Sequence, residues 1–325
     1  MATAPAAEPG PEDEAEPLVS RRGRRVWIAA GAVLTTALLA ASAPGLLTEA
    51  LSAALPPVRL SGAYSGVERV VLGHSEGDYR VVGVPGDQVL VERLRSEVFG
   101  RAVDEPVQDG GSLELGGGCL GVDDCRTDFV VRVPYGTEVE AAATHSDIRI
   151  EDVRGAVDLL TGGEVAVAGG VGALRTTTQD DVVLDGVRAD DIDVRIVGSG
   201  DLSVRATAPA LRGFVRGGEV SLHGSGLEEV DVETRGGDVA VGFAERPRDL
   251  RVSTFGGSVA AELPGGAPYR LDVETGSGDR VIEVDRAERG PLVWLRTGGG
   301  DAVVREVRTT GASAGGPQNR SGITR

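Results

Sequence analysis

Gly163-Glu164-Val165-Ala166-Val167, Gly200-Asp201-Leu202-Ser203-Val204, Gly218-Glu219-Val220-Ser221-Leu222 and Gly237-Asp238-Val239-Ala240-Val241 are four versions of one phrase. A small residue and an acidic one are followed by alternating apolar positions. The same corner recurs at Ser146-Asp147, Asp180-Asp181, Gly257-Ser258, Gly278-Asp279 and Gly300-Asp301. Counted from the second residue of each pair, successive corners lie 17, 17, 20, 18, 19, 20, 21 and 22 residues apart. Self-similarity at a period near twenty is the signature of a solenoid.

Each unit carries two short alternating runs, such as Asp158–Leu160 with Glu164–Ala168, or Asp191–Ile196 with Asp201–Arg205. Period-two alternation sends Val, Leu and Ile to one side and charged residues to the other. Helix is disfavoured, because valine is abundant and glycine interrupts every run. The recurring glycine is expected to supply positive φ at each corner. One coil cannot fold alone: ordering roughly 20 residues costs on the order of 20 kcal/mol of backbone entropy. Its few apolar side chains return only about 1.5–3 kcal/mol each. Stacked coils share a core and an inter-coil ladder, so the predicted fold is an all-β solenoid of short parallel strands. A β-sandwich with Gly-rich hairpins is the alternative, but it has no reason to repeat the corner itself.

Outward from the repeats, the chain divides into segments. Residues 1–25 form an expected disordered cytoplasmic tail, rich in Ala, Pro and Glu. Arg21, Arg22, Arg24 and Arg25 then abut an uncharged run, Val26–Thr48, long enough as helix to cross a bilayer of about 30 Å. The Arg cluster places the N-terminus in the cytoplasm, with Trp27 at the interface. An uncleaved signal anchor is expected; a cleaved signal peptide is the alternative, with Ala41-Ser42-Ala43 as its site. Residues 49–66 read as linker, 67–137 as an N-terminal β region or cap, 138–308 as solenoid repeats, and 309–325 as a disordered tail. Gly77-Asp78 is an early copy of the corner within the cap region. The expected location is the bacterial cell membrane, single-pass, with the C-terminal domain outside.

Cys119 and Cys125 are the only cysteines, and an exported setting makes a local disulfide their natural reading. The chain holds 50 acidic residues against 33 basic ones, all of them Arg, for a net charge of −17. That balance argues against nucleic acid or anionic lipid as a partner.

The strand Phe129-Val130-Val131-Arg132-Val133, the turn Pro134-Tyr135-Gly136-Thr137 and the Gly-Asp-Val coils after them resemble a family of exported bacterial proteins described as candidate adhesins, a domain of unknown function. The upstream pair Cys119 and Cys125 resembles actinobacterial members, in which two cysteines precede that strand. The similarity runs from roughly Val67 to Arg305. It implies a β-solenoid and surface exposure, and it brings no catalytic residues.

Three kinds of chemistry have candidate residues in the chain. Asp180, Asp181, Asp185, Asp190, Asp191 and Asp193 would form an acidic ledge if adjacent coils aligned them, as in β-helices that cleave acidic polysaccharides. Asp180, Asp181, Asp190, Asp191 and Asp193 are also the weak candidates for calcium, although the corners lack the tandem nine-residue spacing of a calcium-binding roll. His145-Ser146-Asp147 names three relay residue types, but strand neighbours face opposite ways. No cofactor motif is present. The expected function is therefore non-enzymatic surface interaction or envelope scaffolding, with a protein or glycan of the cell envelope as partner and the bilayer met through the anchor. The alternatives are the ectodomain partner of a signalling system and a polysaccharide-acting β-helix enzyme.

Overall fold

A computed structural model describes residues 57–97, 101–120 and 125–307. The anchor expected at Val26–Thr48, with Arg21, Arg22, Arg24 and Arg25, lies outside them. Among the described residues there is no helix, so none long and apolar enough to cross a membrane. The chain forms two large sheets, sheet 1 with 13 strands and sheet 2 with 12, plus a small two-stranded sheet. Each repeat lays one strand in sheet 2, turns at the Gly-Asp corner, and lays the next in sheet 1. Ala173–Thr178 and Val182–Arg188 form one such rung, Asp191–Ile196 and Leu202–Thr207 the next. Successive rungs pair in parallel and in register, apart from bulges at Ala168–Gly170 and Asp185–Val187.

Register puts equivalent side chains in files through the stack. One inward file in sheet 1 reads Ile148, Val165, Val182, Leu202, Val220, Val239, Val259 and Ala302, each buried. The matching file in sheet 2 includes Leu159, Thr176 and Val194. Thr176 is buried there, and its Oγ1 has no hydrogen-bond partner. An orphaned hydroxyl costs roughly 1–3 kcal/mol, whereas valine keeps nearly the same shape. Thr176→Val is therefore expected to raise the thermal midpoint by about 2–4 °C per kcal/mol recovered. Differential scanning calorimetry checks this; an unchanged or lower midpoint would mean the hydroxyl is satisfied.

The corner glycines are not there for the reason the sequence suggested. Of those in the repeated pairs, Gly163, Gly200, Gly218, Gly257, Gly278 and Gly300 lack positive φ, and Gly237 alone has it, at 86°. What excludes a side chain is the neighbouring rung. A Cβ on Gly163 would stand 2.6 Å from the Ser146 carbonyl oxygen, and one on Gly218 or Gly257 would overlap the carbonyl of Gly200 or Gly237. Adjacent backbones approach so closely at this turn that only hydrogen fits.

Two side-chain ladders secure the same corner. Buried threonines end the sheet 2 strands, and their hydroxyls bond the turn: Thr161 Oγ1 donates to Ser146 O (2.7 Å), Thr178 Oγ1 to Gly163 O (2.6 Å) and Thr297 Oγ1 to Gly257 O (2.7 Å). The corner aspartates form the second ladder, each carboxylate accepting a backbone N–H of an adjoining rung. Asp147 Oδ1 accepts from Glu164 N (2.9 Å), Asp181 from Asp201 N (2.7 Å), Asp201 from Glu219 N (2.7 Å) and Asp238 from Ser258 N (2.8 Å). The acid of the repeated phrase is thus a backbone cap.

Both ends depart from sequential stacking. The rung of Arg69–Leu72 and Tyr79–Val84 lies inside the later strands Ser112–Leu115 and Cys125–Pro134, and Glu138–Ala142 and Ile148–Glu151 pair on its other side. At the far end, Leu292–Thr297 and Ala302–Val307 insert between the rung of Asp249–Thr254 and Val259–Pro264 and the earlier strands Arg270–Thr275 and Arg280–Glu283. The strands last in sequence are therefore penultimate in space, with Val293, Leu295, Ala302 and Val304 fully buried. The outermost rung carries Arg270, Asp272, Glu274, Arg280 and Glu283, and such charges discourage further strand addition at an open edge.

The N-terminal end is closed by antiparallel strands. Val58–Ser65, expected as linker, is a strand paired with Gln88–Glu97, which pairs in turn with Cys125–Pro134. Beneath them Tyr79 stacks on Phe129 (centroids 5.0 Å apart), and its hydroxyl donates to Gly73 O (3.0 Å) and Leu115 O (3.1 Å). Burial holds the Tyr79 phenol well above the usual tyrosine range, with a hydrogen bond from Ser75 acting weakly the other way. The unfolded phenol ionises near 10.0 while the native one stays protonated. Stability is thus fully present below that pH and falls as pH rises beyond it. An alkaline absorbance titration of the parent and of Tyr79→Phe should assign to Tyr79 a phenol that ionises only as the β signal is lost; reversible ionisation of Tyr79 in the folded chain would contradict it.

Candidate binding surface

The acidic ledge does not form. Asp180 and Asp181 lie at the corner leading into sheet 1, Asp185 on the face of sheet 1, and Asp190, Asp191 and Asp193 at the opposite turn and on the face of sheet 2. Asp180 Oδ1 accepts from Asp181 N (2.9 Å), and Asp181 Oδ1 caps the next rung. Asp185 pairs with Arg205, Asp191 with Arg212 (3.5 Å) and Asp193 with Arg195 (3.6 Å). Asp190 is exposed. Among the described residues no group of three or more His, Cys, Asp or Glu side chains could hold a metal ion.

Sheet 2 shows why acids tolerate this density. Its central outward column reads Asp158, Arg175, Asp193, Arg212, Asp231 and Arg251 on successive rungs. Asp193 and Asp231 each stand between two arginines, while Asp158 has Arg175 on one side and Glu140 on the other; in-register opposite charges stabilise a ladder that like charges would split. His145-Ser146-Asp147 is no relay either: Ser146 is buried with Oγ donating to Ser75 O (3.2 Å), and Asp147 caps a backbone N–H. Cys119 and Cys125 lie on the strands Gly118–Leu120 and Cys125–Pro134, but the side chain of Cys119 is outside the described residues.

The surface feature that sequence reading passed over is Phe255, 80 % exposed, far more than any other large apolar side chain among the described residues. It occupies the position after the corner threonine, which on other rungs is Gly162, Gln179, Val197, Arg216, Arg235, Gly298 or Gly276. Aligning that single column would have found it. The two rungs beyond Phe255 are glycine at this position, since Gly298 N bonds Thr254 O (2.9 Å) and Gly276 N bonds Thr297 O (2.8 Å). A groove of about 780 Å³ results, with Phe255 as one wall, Gly276 and Gly298 as floor, and Arg235, Glu233, Glu274 and Arg296 at the rim. Arg296 pairs with Glu274 (3.1 Å), leaving a balanced polar edge beside an aromatic face.

Architecture and corner chemistry define a two-sheet parallel β-solenoid. Residues 125–303, more than half of the 325, match the model of Toastrack DUF4097. The chain belongs to the Toastrack DUF4097 family, a domain of unknown function. Among solved structures it is similar to a candidate adhesin of Parabacteroides merdae, at 14% identity and a TM-score of 0.47, covering 78% of this chain and 97% of that one. A candidate adhesin of Bacteroides fragilis matches at 11% identity and a TM-score of 0.37, over 77% of this chain and 97% of that one. A candidate cell-adhesion protein of Clostridium sporogenes matches at 11% identity and a TM-score of 0.21, over 77% and 99%. No curated protein matches the chain.

Proposed function

We propose that this chain is a non-enzymatic, adhesin-like binding module at the bacterial cell surface, and that the Phe255 groove engages a glycan of the envelope. The observation that carries the reading is the groove itself: an exposed aromatic face above a glycine floor, rimmed by guanidinium and carboxylate groups. A pyranose ring offers one C–H face to an aromatic ring and a belt of hydroxyls to charged hydrogen-bonding groups, which matches that arrangement. The segment Val26–Thr48, flanked by Arg21, Arg22, Arg24 and Arg25, would hold the solenoid to the membrane with the N-terminus inside. A Cys119–Cys125 disulfide suits the same exported setting.

Phe255 touches nothing essential to the core, so Phe255→Ala should fold with an unchanged thermal midpoint. Binding of the purified chain to cell-wall polysaccharide is expected to be saturable and to weaken at least tenfold in the variant. Absence of saturable binding by the parent would remove the proposal, and equal binding by both would remove the groove. Protease treatment of intact cells is expected to digest the solenoid, and full protection would refute display outside.

A further inference from the structure

The outward face of sheet 1 differs in kind from that of sheet 2. One column along it reads Val183, Ser203, Ser221, Ala240, Ala260 and Val303. These side chains are small, uncharged and largely exposed. The parallel column, two residues on, reads Asp185, Arg205, His223, Gly242, Glu262 and Arg305. In signs this is minus, plus, imidazole, gap, minus, plus.

Turned end for end, that column is its own complement. A second copy laid face to face, with the twofold axis along the strands between Val220–Gly224 and Val239–Phe243, sets Arg205 against the partner's Glu262 and Asp185 against the partner's Arg305. His223 then stands over the partner's Gly242, where no side chain competes for the space. The neighbouring column brings Ser221 to the partner's Ala240, Ser203 to the partner's Ala260 and Val183 to the partner's Val303. The same two faces laid in parallel would oppose Asp185 to Asp185 and Arg205 to Arg205, which is repulsive. A groove of about 590 Å³ runs along the C-terminal ends of these strands, with Arg205, His223, Gly242 and Glu262 of the charged column on its inner side.

We infer that sheet 1 is a self-association surface, which a second copy of this chain covers in antiparallel orientation. The outward side chains at the centre of this face are small and include no large aromatic anchor, so the dimer is expected to be weak in solution. Sheet 2 suits this role less, because its central outward column carries a charge on every rung from Asp158 to Arg251, and covering it desolvates each of them.

The test uses the full chain purified in detergent, with mass measured by sedimentation equilibrium over a wide concentration range. The parent should dimerise reversibly. Ala240→Arg, at an exposed position, should leave the fold and thermal midpoint intact and weaken the dimer at least tenfold. Arg205→Glu and Glu262→Arg should each weaken it similarly, and the double exchange should restore it. Within the chain Arg205→Glu breaks the pair with Asp185 and Glu262→Arg sets a second cation beside Arg305, which pairs with Glu283 (3.7 Å), and the double exchange retains both disturbances. Restoration therefore reports the contact between copies. A parent monomeric at all concentrations would overturn the proposal. So would a dimer indifferent to Ala240→Arg, or a double exchange as weak as the singles.

Discussion

Replacing Asp104 with alanine is expected to destabilise the N-terminal cap by about 3–5 kcal/mol, the cost of breaking a buried ion pair from one side. Asp104 is 1 % exposed and follows the strand Arg101–Val103. Its carboxylate is gripped by Arg93 (3.2 Å) and Arg95, and its carbonyl oxygen also accepts from Arg93 Nη1 (2.9 Å). Both arginines lie on the strand Gln88–Glu97, which closes the end of sheet 1 against Cys125–Pro134. Removing the carboxylate leaves two guanidinium groups, largely withdrawn from water, without it. Asp104→Asn should cost less, since an amide still accepts one hydrogen bond. Urea unfolding of the parent and both variants measures this. A loss below about 1 kcal/mol for the alanine variant would place the pair among ordinary surface bridges.

The second large effect concerns the corner. Gly257→Ala is expected to cost about 3 kcal/mol or more, above the usual range for overpacking, because the obstacle is a backbone carbonyl in the adjoining rung that has no rotamer to change. Gly236 is the natural control: a Cβ there meets nothing within 4 Å, and its φ is not positive. Gly236→Ala should be neutral or stabilise by up to about 1 kcal/mol through the unfolded chain. The pair separates two explanations of a glycine-rich corner. If both substitutions cost the same, conformational freedom and not rung contact is what the turn requires.

The period of the corner and the alternation around it were enough to predict a parallel solenoid, because both report contacts that every rung repeats. The glycine column was legible as a pattern, but its cause was not: close approach between rungs involves residues about twenty apart. The threonine ladder was equally available in the sequence, as Thr161 and Thr178 three residues before their corners and Thr234, Thr254, Thr275 and Thr297 four residues before theirs. It was masked because Ile196 and Val215 interrupt it. The inverted order of the terminal rungs left no trace in the spacing, since steps of 21 and 22 residues serve a chain that skips a level as well as one that does not. Length alone carries no direction. Asp180 and Asp181 stood among the candidate ligands, yet Asp181 holds a backbone amide of the next rung, as Asp147, Asp201 and Asp238 do at their corners, and the candidate binding surface turned on Phe255, the one aromatic residue in its column.

Native-state hydrogen exchange, read strand by strand, bears most directly on the rung order. With the final strands inserted, amides of Leu292–Thr297 and Ala302–Val307 should match the protection of Asp249–Thr254 and Val259–Pro264, while Arg270–Thr275 and Arg280–Glu283 exchange first. Exchange that begins instead at Ala302–Val307 and moves back through the sequence would show rungs stacked in chain order, and the architecture described above would be wrong.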